Sequence, residues 1–171
     1  SIAEWPSYEE ARVDVRAEEA EDMIRDLIAD TLSIIEVMKI KPKKICYYLA
    51  SSWKWKVYLE MLKRSLSAKV DMKIIMRELM SDPSLRKKAK MVSAFVGKTL
   101  QEINAMPKDQ KKRKLEVGEL KEKDLLNESK RFLEKEFNAE ILIYDEDYPQ
   151  RYDPKERANL AKPYRPAIYI E

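Results

Sequence analysis

Two clusters of residues in this chain have the chemistry to hold a polyanion. The first is Lys39-Ile40-Lys41-Pro42-Lys43-Lys44, followed after a short apolar run by Ser52-Trp53-Lys54-Trp55-Lys56. Ammonium groups attract phosphates without regard to sequence. Flat indoles stack on unpaired bases, a contact worth roughly 1–3 kcal/mol per base. Alternating Trp and Lys at a strand-to-helix turn would put both at one rim, so Lys43, Lys44, Trp53, Lys54 and Lys56 are candidate RNA-binding residues. The plainer alternative is that one Trp packs into the core while the lysines stay in water. The second cluster is the run 108–114, in which Lys111, Lys112 and Arg113 are the candidates. It is too charged to be core.

Other chemistries are poorly provided for. The chain has no histidine, the commonest general base and metal ligand. Its lone cysteine, Cys46, sits in the apolar run Ile45-Cys46-Tyr47-Tyr48-Leu49 and reads as a small core residue, not a nucleophile. With only Gly97 and Gly118, glycine-rich phosphate loops are all but excluded. Asp145-Glu146-Asp147 could in principle do acid–base work or hold magnesium. It lies in a strongly charged segment with no supporting ligands, and is expected to be solvated. No metal site, catalytic residue or active site is expected.

The chain has 171 residues, 44% hydrophobic and 38% charged, enough for one compact domain with a helical extension. The charge level is well above the roughly 25% of an average domain. Asn and Gln together number seven, which with the high charge suits a thermophilic source. The net charge of +3 conceals segregation: residues 1–38 carry −8, 39–64 carry +7, 65–85 are neutral, 86–114 carry +8 and 115–171 carry −4. Two basic blocks between acidic ends mark either a polyanion footprint or solvated helix faces. No run of 18 apolar residues is present, and no membrane partner is expected. The opening residues lack a basic-then-apolar signal layout, and they lack an initiator Met, which suits a piece of a larger protein and a trimmed chain equally; a cytoplasmic location is expected.

These residues need elements to hold them. Residues 1–12 read as a connector, because Pro6 biases Trp5 towards an extended conformation. A long amphipathic helix covers about 15–38, with Met23, Ile24, Leu27, Ile28, Ile34, Ile35 and Met38 at helical spacing and acidic groups in its early turns. Lys41-Pro42 ends it. Residues 44–50 form a buried strand. Ser51-Ser52 is placed to cap a helix over 53–66. Asp71 caps one over 72–80, and Asp82-Pro83 opens one running to about 106. A further helix spans 122–137, carried by Leu125, Leu126, Phe132, Leu133 and Phe137. Strands follow at 139–144 and 167–170, separated by a proline-rich loop. The fold class is α/β or α+β: a small mixed three-stranded sheet packed with helices and preceded by a long N-terminal helix.

Residues 39–58 closely resemble the stretch that follows the anticodon-binding helices in archaeal and eukaryotic cytosolic leucyl-tRNA synthetases, the archaeal type above all. That family has a long acidic helix, a Lys-Pro-Lys turn, a short strand and a Trp-Lys pair. Residues 18–38 match the helix in character. Residues 161–171 look like the family's C-terminus, where the chain ends on a strand. The resemblance implies that residues 1–38 are a connector and the end of the anticodon-binding bundle, and that 39–171 are a C-terminal tRNA-binding domain. ATP and magnesium would be used in parent domains this chain lacks, and the chain itself would hold no cofactor. The resemblance further implies contact with the long variable arm of leucine tRNA, from Ile170 and Glu171 and from the region near Trp53. The competing expectation is a non-catalytic protein-interaction or general RNA-binding module, with residues 15–38 as the docking face.

Overall fold

A computed structural model describes the chain from Tyr8, and its side chains from Asp14, to Glu171. The order is α1 (Tyr8–Met38), β1 (Lys44–Leu49), α2 (Ser52–Ser65), α3 (Met72–Leu79), α4 (Pro83–Arg86), α5 (Ala89–Ala105), α6 (Lys108–Val117), α7 (Glu122–Phe137), β2 (Glu140–Asp145) and β3 (Ala167–Ile170), with a 3-10 turn at Ala158–Leu160 before β3. The predicted connector is only partly testable. Residues 1–7 lie outside the described residues, and from Tyr8 onward the chain is already helical. The contacts divide the chain into two compact units, Ser1–Ser51 with Leu120–Glu171, and Ser52–Glu119.

The first unit is a mixed sheet of order β2-β1-β3. β1 runs parallel to β2, with Ile45 opposite Ile141, and antiparallel to β3, with Ile45 opposite Ile170. As the middle strand, β1 is covered on both faces, which is why it reads as a continuous apolar run and does not alternate. Its odd residues Ile45, Tyr47 and Leu49 pack with Leu27 of α1 and with Leu126, Leu133 and Phe137 of α7. Its even residues Cys46 and Tyr48 pack against Ala158, Ala161 and Ala167. Full burial of each large apolar side chain contributes about 1.5–3 kcal/mol.

Local chemistry sets the helix ends. α1 stops where Lys39 turns left-handed (φ 53°) and returns its N–H to the Ile35 carbonyl at 2.9 Å. Asn138 does the same after α7, at φ 49°. Phe132, expected in the α7 core stripe, is 56% exposed instead. Glu146, expected in solvent, is buried and accepts the Ser51 hydroxyl at 2.7 Å. The serine thus spends its hydroxyl across the sheet unit.

The second unit is helical. α2 packs on α5 and α6, and α3 packs on α5. Trp55, Val57, Met61, Leu62, Ile75, Leu85, Val92, Val96 and Ile103 are buried in it. Asp71 accepts from the Ile74 N–H at 3.1 Å and Asp82 from the Ser84 N–H at 2.8 Å, so both expected caps are in place. Asn104 grips the loop before α3 with a two-way pair to the Val70 backbone, at 2.8 and 3.1 Å. The single helix expected from Pro83 to about 106 is broken: α4 ends at Arg86, and Lys88 takes φ −115°, ψ 27° before α5 begins. The run 108–114 is itself helical. Lys111 within it is only 7% exposed, which corrects its exclusion from the interior. Its stem is buried while its ammonium reaches the Ser65 carbonyl at 3.5 Å.

Burial pushes the Cys46 thiol up to about 11, with a Tyr48 hydrogen bond opposing. A thiolate is the reactive form. Cys46 should therefore resist a disulfide reagent at pH 8 in the folded chain and react fully only in denaturant. Stoichiometric labelling of the native chain within seconds would contradict the packing described for β1.

Candidate nucleic-acid interface

The candidate residues fall into two groups, one in each unit. In the sheet unit, Lys43, Lys44, Ile170 and Glu171 are brought together. The Lys43 and Lys44 N–H groups both donate to the Glu171 carbonyl, at 2.7 and 2.9 Å, and the Glu171 N–H donates to the Lys44 carbonyl at 2.9 Å. The Lys44 ammonium lies 3.6 Å from the Glu171 carboxylate and 4.6 Å from the centre of the Tyr152 ring. That carboxylate also accepts the hydroxyls of Tyr169, at 2.9 Å, and of Tyr152, at 3.0 and 3.1 Å. These phenol hydrogen bonds hold the Glu171 carboxyl below its usual range. The same bond pushes Tyr169 up to about 12.

The consequence for binding is specific. Glu171 is exposed, but its carboxylate is already held by two phenols and an ammonium. Ile170 is 4% exposed and belongs to the core. β3 is an edge strand, so it leaves a backbone edge, and not the Ile170 side chain, for a partner. Lys43 is exposed at the same corner. Alongside β3, a groove of about 360 Å³ is lined by Asp30, Arg157, Lys162 and Arg165 among others. Arg165 grips Asp30 there at 3.2 and 3.4 Å.

In the helical unit, the Trp-Lys alternation separates by helix geometry. Trp55 is buried, edge-on to Tyr58 with centroids 6.3 Å apart. Trp53 is half-buried, edge-on to Phe95 at 5.7 Å. Lys54 is buried with its ammonium 5.7 Å from the centres of both rings. Lys56 is exposed and paired with Asp82. Its hydrogen bond, with those of Ser84, depresses the Asp82 carboxyl far below the usual range. Lys112 is exposed and Arg113 half-buried, on α6.

Sequence reasoning missed Lys88 and Phe95. The Lys88 ammonium lies 6.0 Å from the Trp53 ring centre, although 35 residues separate them. Residue type marked Lys88 only as one of a basic block, and nothing in its spacing pointed at Trp53. The units also differ in charge. The helical unit, 52–119, holds 17 Lys and Arg against 8 Asp and Glu, net +9, and the remainder of the chain holds 17 against 23, net −6. Among the described residues, no group of His, Cys, Asp or Glu is placed to hold a metal ion. No described helix is long and apolar enough to cross a membrane.

No family model matches the chain. Proteins similar to it include aminoacyl-tRNA ligases of archaea. Over its whole length it is 35% identical to a leucine–tRNA ligase of Methanococcoides burtonii, of which it spans 18%. It is 34% identical to that of Methanosarcina barkeri, again spanning 18%, and 36% identical over 172 residues to that of Pyrococcus abyssi, spanning 16%. The chain thus spans about a sixth of the length of these relatives. It is homologous to the C-terminal part of archaeal leucyl-tRNA synthetases.

Proposed function

We propose that the chain is the tRNA-binding C-terminal domain of a leucyl-tRNA synthetase, engaging leucine tRNA through its long variable arm. The charge division supports this best: residues 52–119, a helical unit with a half-buried indole on it, carry net +9, and the remaining residues carry net −6. That is the electrostatic footprint of a phosphate backbone partner. Leucylation itself, with ATP and magnesium, belongs in this reading to other domains of a cytoplasmic parent protein. Residues 1–38 would close the parent's anticodon-binding bundle. A protein-docking role for α1 is the second reading, favoured by its exposed Leu32, Val37 and Met38. The two are compatible if the parent's other domains cover those residues.

The test is a gel shift with leucine tRNA, intact and with a shortened variable arm, at two salt concentrations. Binding that weakens steeply with salt and drops on arm shortening supports the reading. Salt-independent or absent binding favours the docking role. A narrower test uses α6. Reversing Lys111 would disturb a buried stem, so the informative variant is Lys108→Glu with Lys112→Glu, both exposed. It should weaken binding to all RNAs by a similar factor and lower the salt slope by about 2, because phosphate contacts carry no direct base information. Unchanged binding would make α6 a solvated face. The chain alone should show no leucine-dependent pyrophosphate exchange.

A further inference from the structure

We propose that Trp53, Lys54 and Lys88, backed by Phe95 and flanked by Arg86, Lys87 and Lys90, form a composite site for one unpaired RNA base and the phosphates beside it. The proposal deepens the RNA-binding reading and rests on it. Its ground is a juxtaposition: the aromatic turn opening α2 and the basic corner between α4 and α5 meet at one indole, inside the helical unit.

Each member has a separable part. Trp53 is half-buried, and Phe95 meets it edge-on at 5.7 Å and 79°, which fixes its plane. Lys54 is 5% exposed with its ammonium 5.7 Å from both ring centres, a fixed positive charge beneath the surface. Lys88 is exposed and its ammonium stands 6.0 Å from the same indole. An exposed lysine over a ring can swing aside. A base arriving on the indole would displace the Lys88 ammonium from the ring towards the phosphate that the base brings with it. Lys87 and Lys90 are exposed next to Lys88 in the chain, Arg86 is exposed with its Nε–H donating to the Met80 carbonyl at 3.0 Å, and no acidic residue lies between Pro83 and Gln101. Lys88 itself stands where α4 gives way to α5.

The order of events gives the two halves different signatures. The lysines contribute by counterion release, so their loss lowers the salt slope. The indole contributes by stacking, which is tolerant of base identity and nearly independent of salt. Two variants separate them: Lys87→Gln with Lys88→Gln and Lys90→Gln, and Trp53→Leu, which keeps apolar volume against Phe95. Binding to a leucine tRNA transcript and to single-stranded polyuridylate is measured by filter retention across salt, with tryptophan fluorescence followed in the same titrations. Circular dichroism melts verify that each variant folds. The lysine variant should bind both RNAs about tenfold more weakly, with a salt slope smaller by about 2. Trp53→Leu should bind about tenfold more weakly with an unchanged slope, and should lose the fluorescence quenching that polyuridylate causes in the wild type. Wild-type affinity in either folded variant overturns the composite site, and so does quenching that persists without Trp53. A wild-type chain that binds neither RNA instead removes the RNA-binding reading itself, and this site with it.

Discussion

Ile170→Ala should destabilise the sheet unit by about 2–5 kcal/mol, and Ile170→Asp by more, whatever either does to RNA binding. Ile170 is 4% exposed, packs in the cluster of Leu27, Ile45, Leu126 and Phe137, and stands opposite Ile45 in the antiparallel pair. Truncating it leaves a cavity where β1, α1 and α7 converge. Deleting Ile170 and Glu171 together also strips the carbonyl that accepts from Lys43 and Lys44 and the carboxylate that accepts from Tyr152 and Tyr169. A lost activity in such a deletion is therefore first a folding result. Glu171→Gln is the cleaner probe, since it keeps the backbone and one acceptor oxygen and removes the charge beside Lys44. Urea unfolding followed by circular dichroism checks the first claim. An Ile170→Ala midpoint equal to wild type would mean that β3 does not pack as described.

That reversal shows where sequence reasoning reaches and stops. Expected bounds for α7 and β3 coincide with those found, and the bounds of β1 and α3 differ by a residue. In each case the signal is local: a capping Asp, an apolar run, a helical stripe. Phe132 went wrong because a 3.6-residue pattern assigns a stripe but not its edges, and its ring falls on the exposed side. The break at Lys88 has no breaker residue to announce it, since Leu85, Ala89, Val92 and Val96 continue one helical stripe on paper. Charge misled twice, at Lys111 and Glu146. A long stem at Lys111 and a serine hydroxyl at Glu146 help make burial tolerable there, and neither shows in a count of charges. The candidate site followed the same rule. The residue types Trp53 and Lys54 were legible, but Lys88 joins them only through the packing of α2 on α5. The interleaving of the units was illegible too. β1 pairs with β2 across a 68-residue helical insertion and α7, a long-range contact that no local pattern encodes.

Raising the pH from 10 to 12 should cost the fold about 1 kcal/mol per pH unit, about 2 kcal/mol in all, through Tyr47 alone. The Tyr47 side chain is completely buried in the middle strand. Its hydroxyl lies 2.8 Å from that of Thr31, which in turn donates to the Leu27 carbonyl at 2.7 Å. With the Thr31 proton so engaged, Tyr47 is the donor of the pair and must be neutral to make it. Burial is the main cause that pushes this phenol up to about 12 from the ordinary value of 10, tempered by Thr31, which can turn its proton to a phenolate. The sign follows from proton counting. Between these two values the unfolded chain has released the proton and the folded chain retains it, so rising pH favours unfolding. The stabilisation is complete below pH 10 and is lost as pH climbs through about 12. Tyr47→Phe removes this proton from the balance while Thr31 keeps its bond to Leu27. At pH 8 the variant should lose only about 1 kcal/mol, and between pH 10 and 12 its stability should fall less steeply than that of the wild type by one proton's worth. Urea midpoints at pH 8, 10, 11 and 12 for both chains measure the difference. Parallel curves would show that the Tyr47 phenol ionises as freely in the folded chain as in the unfolded one, which a buried hydroxyl between β1 and α1 does not allow.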